Sequence, residues 1–243
     1  MNMKNILKTS LVAMVVSAAL ITSSCNVSVS GESKEEKRPV KDFTGVELAV
    51  PADVYITQGE TYSFIIEGDD EFLEKIKTEV SGKTLRIKTE GWFNFGWDNQ
   101  KVIIKITMPE VERLSVAGSG DIKAVSPIKA ENLVTSISGS GDISISELLV
   151  KDLTASISGS GDISLGGNGS AKMATVKVTG SGDVTLNGIA FANAEVSISG
   201  SGDVYLVASE TLNARVVGSG DIVYSGNPLV DAKVSGSGRI RNK

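Results

Sequence analysis

The sequence predicts an all-β chain whose C-terminal half is a parallel, right-handed β-solenoid. Three observations carry this. A glycine-rich tetrapeptide returns at near-constant intervals, aliphatic residues of one parity flank every copy, and a hydrophobic content of 41% over 243 residues is too high for a disordered chain.

The tetrapeptide is Gly-Ser-Gly-Asp followed by Ile or Val. It begins at Gly118, Gly139, Gly159, Gly180, Gly200 and Gly218, and a seventh copy at Gly236 carries Arg239 in place of Asp. Successive copies stand 21, 20, 21, 20, 18 and 18 residues apart. Two residues before each leading glycine lie Val116, Ile137, Ile157, Val178, Ile198, Val216 and Val234. Directly after the Asp or Arg come Ile122, Ile143, Ile163, Val184, Val204, Ile222 and Ile240. These positions share one parity, which in a strand is one face. The other parity is mainly Ser, Thr, Asp, Lys and Ala. Each repeat is therefore two short half-buried strands joined at Gly-Ser-Gly, where both glycines fall on the inward parity and a corner leaves no room for a side chain.

A hairpin barrel would need about fourteen strands, an interior too wide for Ile and Val to fill. A membrane barrel would need an apolar outer face, and this one is polar. Stacked coils bury the same aliphatic ladders in a narrow core, and the chirality of parallel crossovers sets a right hand. In the last copy Arg239, Arg241 and Lys243 alternate, a pattern that discourages further strand pairing.

On such a solenoid Asp121, Asp142, Asp162, Asp183, Asp203 and Asp221 form a ladder with a spacing of about 4.8 Å. Carboxylates in register are hard oxygen ligands for a cation. The local alternative, acceptance of backbone N–H groups in a turn, is favoured. Exposed neighbours at this spacing repel by only about 1 kcal/mol, whereas a charge-assisted hydrogen bond contributes about 1.5–3 kcal/mol. No metal or cofactor is expected.

The chain has no histidine and one cysteine, Cys25. With Cys25 committed elsewhere, Ser-His-Asp and Cys-His nucleophile systems, His/Cys zinc sites and intrachain disulfides are excluded. Polysaccharide-cleaving β-helices need only clustered carboxylates. Here the carboxylates recur at equivalent places, and no unique constellation breaks the repeat, so no catalytic residues are expected. A formal net charge of -5 without a basic patch argues against nucleic acid.

Residues 1–24 read as an export signal: Lys4 and Lys8 precede an apolar stretch over residues 11–21, which is too short for a comfortable membrane span. The segment Thr22-Ser-Ser-Cys25 is similar to a bacterial lipobox, which implies cleavage before Cys25 and its acylation. The other reading is an ordinary secretory signal; Cys25 being the only cysteine favours the lipid anchor, with residues 25–39 as a polar tether.

Residues 40–117 are less regular and could cap the N-terminal end of the residue 118–243 solenoid. Strands are expected over residues 45–50, 53–57, 62–66, 84–88 and 102–107, with a short helix over 70–76. The segment 91–97 concentrates Trp92, Phe93, Phe95 and Trp97. Exposed, they would stack on sugars or anchor a protein; the alternative is a hairpin whose aromatics cover a small core.

With its opening Arg38-Pro-Val-Lys-Asp-Phe-Thr-Gly-Val46, its Gly-Ser-Gly-Asp repeats and its lipobox, the chain resembles, over roughly residues 40–240, the bacterial lipoproteins of the putative auto-transporter adhesin, head GIN domain family. The resemblance implies a β-helical fold and envelope placement, and suggests adhesion. A true autotransporter carries a C-terminal membrane barrel, whereas this chain runs to Lys243 in a repeat. The expectation is an outer-membrane-anchored lipoprotein, facing the cell surface or the periplasm. It would act as a non-catalytic adhesin or a glycan- or protein-binding module. A periplasm-facing structural or envelope-stress protein and a carbohydrate-active enzyme are the alternatives.

Overall fold

The computed structural model describes residues 33–89 and 101–243. Within them the parallel solenoid is present. Each full coil has one strand run before the Gly-Ser-Gly corner, one after it and a third that closes the turn. The runs before the corner are β8 (Arg113–Gly118), β10 (Ile128–Gly139), β12 (Leu148–Gly159), β13 (Ile163–Gly180), β14 (Val184–Gly200), β15 (Val204–Gly218) and β17 (Leu229–Gly236), each paired in parallel with the next. The runs after the corner pass through β9 (Asp121–Ala124), β11 (Ile143–Ile145), the starts of β13, β14 and β15, then β16 (Ile222–Ser225) and β18 (Ile240–Asn242). The long strands bend through the remaining corner with a break in register, between Gly166 and Gly169 on β13 and between Thr185 and Ala190 on β14, and pairing resumes beyond it, where Gly169 of β13 faces Ile189 of β14.

Register is set by the aliphatic columns. Val116, Ile137, Ile157, Val178, Ile198 and Val216 stack in line and are buried; so do Ile122, Ile143, Ile163, Val184, Val204 and Ile222. A one-residue slip would turn every one of them to water, at about 1.5–3 kcal/mol each.

The columns extend into the less regular N-terminal part. Strands β2 (Gly45–Ala49) and β3 (Asp53–Gln58) form a coil of their own. Leu48 pairs with Val116, Val54 with Ile122, and the side-chain amide of Gln58 bonds both the carbonyl and the N–H of Lys129. Stacking order departs from chain order here. The coil formed by β6 (Thr84–Thr89) and β7 (Ile103–Met108) lies on the far side of β2 and β3, so the first coil in sequence is sandwiched between the second and the third.

Beyond it the pairing turns antiparallel: β5 (Ile76–Ser81) on β6, β4 (Ser63–Asp69) on β7, and β1 (Ser33–Lys37) on β4. Residues 33–37, which composition assigns to the tether, are thus an edge strand. Their charges suit a solvent-facing edge, and Arg38 locks the strand down. Its side chain is only 12% exposed, and its guanidinium donates to the carbonyls of Leu73 and Ile76 and to the carboxylate of Glu36. The expected helix is one turn, α1 (Asp70–Leu73), capped by Asp69, whose Oδ1 accepts from the N–H of Glu71. Residues 76–81 leave it as β5 because β6 offers an open edge to pair with.

The glycines act across coils. The first glycine of each corner has φ between 128° and 144°, a region that only glycine occupies readily. At Gly139 a Cβ would collide with the carbonyl of Gly118, and at Gly141 with that of Gly120. The excluded volume is therefore the backbone of the preceding coil, where the sequence pointed to crowding within the corner itself.

Candidate binding surface

The corners place the six aspartates in one line, and each carboxylate bonds the backbone of the next coil. Oδ1 of Asp121 accepts the N–H of Asp142 at 2.8 Å, and the pattern repeats from Asp142 to Asp162, Asp162 to Asp183, Asp183 to Asp203 and Asp203 to Asp221. Asp221 ends the series by accepting from the N–H of Arg239 at 2.9 Å, with that guanidinium 3.7 Å from its Oδ2. The expected backbone acceptor role is present, but the donor belongs to the neighbouring coil and not to the same turn. A corner N–H has no ladder partner, and the register brings an identical residue to it. The ladder thus spends one oxygen per carboxylate on coil-to-coil cohesion. Among the described residues no three Asp, Glu, His or Cys side chains are grouped to hold a metal ion.

Two residues beyond the Asp column, on the same outer face, runs a second column. Lys105, Tyr55, Lys123, Ser144, Ser164, Thr185 and Tyr205 are successive partners in register. Each tyrosine borders a shallow cavity. One, of about 370 Å³, is lined by Tyr55, Thr57, Lys105, Thr107 and Val125; the other, of about 410 Å³, by Tyr205, Thr185, Asn187, Val207 and Lys243. The Tyr205 hydroxyl donates to Oδ2 of Asp203 at 3.2 Å. Partial burial raises its pKa above the usual phenol value, and the negative charge and hydrogen bond of Asp203 add to the shift. Neither tyrosine belongs to the Gly-Ser-Gly-Asp pattern or the aromatic segment, and their one sequence signal is the tripeptide Asp-Val-Tyr, which occurs at Asp53 and again at Asp203.

Trp92, Phe93, Phe95, Trp97 and Cys25 lie outside the described residues. The described strands on either side of the aromatic segment are β6, whose Lys88 pairs with Ala49, and β7, whose Ile103 pairs with Asp53. Asp53 lies on the corner edge along which the aspartates stack. Lys101, just before β7, sits 3.5 Å from Asp53. No described helix is long and apolar enough to cross a membrane.

Fold and surface together define a parallel β-solenoid with one serially repeated polar edge. The chain belongs to the family described as putative auto-transporter adhesin, head GIN domain, whose profile matches residues 42–228. A putative adhesin from Bacteroides fragilis has the same fold, with a TM-score of 0.80 and 26% identity over 87% of this chain and 97% of that one. A putative lipid binding protein from Parabacteroides distasonis follows at 0.71 and 25%, covering 88% and 98%. A putative adhesin from Parabacteroides merdae shares the fold at 0.66 and 22%, covering 88% and 97%. No curated protein matches the chain in sequence.

Proposed function

We propose that this protein is a lipid-anchored, non-catalytic adhesin of the bacterial envelope, binding a glycan or protein along the edge where its corners stack. The single observation that carries the reading is the uniformity of that edge. Six equivalent carboxylates each have one oxygen committed to the backbone of the next coil. A repeated surface of equal sites adds weak contacts serially, which suits a polymeric or multivalent partner. A catalytic centre draws unlike groups together at one place. The candidate anchor is the aromatic segment 91–97, Trp92 and Trp97 above all, which in sequence joins β6 to β7. Anchoring rests on the leader and Cys25. The name borne by the family supports attachment as the task.

The test is protease shaving of intact cells with an antibody to the repeats and a periplasmic control, paired with an attachment assay on a deletion strain. Removal of the repeats from unbroken cells, with attachment lost on deletion, is the expected result. Protection until the outer membrane is opened would overturn the adhesin reading in favour of a periplasmic structural role.

A further inference from the structure

We propose that the outer face carrying Tyr55 and Tyr205 is a track for a neutral, extended polysaccharide lying along the solenoid axis. The proposal rests on the binding-module reading above and names its ligand class.

The two rings occupy the same register column, separated by Lys123, Ser144, Ser164 and Thr185. Five strand spacings of about 4.8 Å put them about 24 Å apart. Ser144, Ser164 and Thr185 form a short floor and the exposed Lys123 beside Tyr55 is its one long side chain, a flexible hydrogen-bond donor that a flat chain can displace or engage while reaching both rings. Each ring stands at a cavity edge with apolar neighbours: Val125, 56% exposed, beside Tyr55, and Val207 beside Tyr205. An aromatic face flanked by apolar groups suits the C–H face of a pyranose. The hydrogen bond to Asp203 fixes the Tyr205 ring, which is 38% exposed, and so lowers the entropy lost on stacking.

Charge argues for a neutral partner. Around Tyr55 the cations Lys101, Lys105 and Lys123 are balanced by Asp53, Glu67 and Asp121 on the same face, and two of these cations already face carboxylates at 3.5 Å. The patch offers donors and acceptors side by side with no net pull, which matches hydroxyl groups. Along the track the layer spacing is comparable with one hexose unit of an extended chain, so successive sugars meet equivalent surroundings.

The experiment uses the purified full chain in detergent on immobilised linear β-1,4-glucan, β-1,4-mannan and β-1,4-galactan, with polygalacturonate as the charged comparison. Calorimetry then follows oligosaccharides of increasing length from any polymer that is retained. Retention on at least one neutral polymer is expected, with affinity stepping up once the oligosaccharide spans both rings. Tyr55→Ala and Tyr205→Ala should each weaken binding about 2- to 12-fold and remove the step, while Tyr55→Phe and Tyr205→Phe keep it. Both side chains point outward, so unchanged circular-dichroism spectra should report that the variants fold, with a modest fall in melting temperature for the contact that Tyr205→Ala loses to Asp203. Retention on none of the neutral polymers, a preference for polygalacturonate, or unchanged binding in the double alanine variant would each overturn the track. Binding that survives the double variant sinks the track and leaves the adhesin reading standing. Tyrosine-dependent binding in a protein whose deletion leaves attachment intact does the reverse.

Discussion

Oδ1 of Asp142 accepts the backbone N–H of Asp162, one coil further along, at 2.8 Å. The same carboxylate position in the next coil receives Asp183, and the chain of bonds runs to Arg239. Replacing Asp162 by Ala strands the N–H of Asp183 and should cost about 1–3 kcal/mol in denaturant unfolding. Asp162→Asn keeps an acceptor oxygen and should cost less than half as much. Equal losses for the two would show that the charge, and not the bond, matters.

Corner glycines should tolerate nothing larger. Gly159 combines a φ of 144° with a carbonyl of Gly139 where its Cβ would lie. Gly159→Ala is expected to destabilise by more than about 3 kcal/mol. Gly169, with open space around its Cβ position, is the control. Gly169→Ala should stay within about 0.5 kcal/mol of the parent.

Arg38 ties the N-terminal strand to the end of the stack through the carbonyls of Leu73 and Ile76 at 2.9 and 2.6 Å. Arg38→Met removes those donors while filling similar space. Faster amide exchange in residues 70–81 is expected, with exchange in the coils from β10 onward unchanged. Uniform acceleration over the whole chain would show that the end strands and the coils unfold as one unit.

Tyr205 carries a phenol pKa raised by burial and by Asp203. Its neutral form is favoured by folding, so its contribution to stability is complete below pH 10, the ordinary phenol value, and fades as pH rises through the raised one. Ultraviolet difference titration against Tyr205→Phe should place its ionisation above the ordinary value. Asp203→Asn should bring it down.

The solenoid was legible because its signal is periodic twice over. Inward Ile and Val mark the strands, and the glycines mark the corners, at a spacing too regular for any other architecture to use. The Asp ladder was legible as a row, since equal positions in stacked coils must align. Its bonding was not, because the choice between an N–H of the same turn and one of the next coil depends on distances that only stacking creates. The tyrosines were hidden for a related reason. Asp53-Val-Tyr55 and Asp203-Val-Tyr205 share a tripeptide but are 150 residues apart, and only five layers of register place both rings in one column.

By itself the sequence determined the all-β class, the coil length, the absence of imidazole and the buried columns up to the last coil, where Val234 is 46% exposed because β17 pairs with β15 on one side only. These follow from residue identity and local period, which every repeat states again. Tertiary structure alone decided that β2 and β3 sit between later coils, that residues 33–37 and 76–81 become strands, and that glycines are excluded from change by the neighbouring backbone. Those outcomes turn on which edge is left unpaired when coils meet, and an unpaired edge is a property of the assembled stack, invisible in any one segment of the chain.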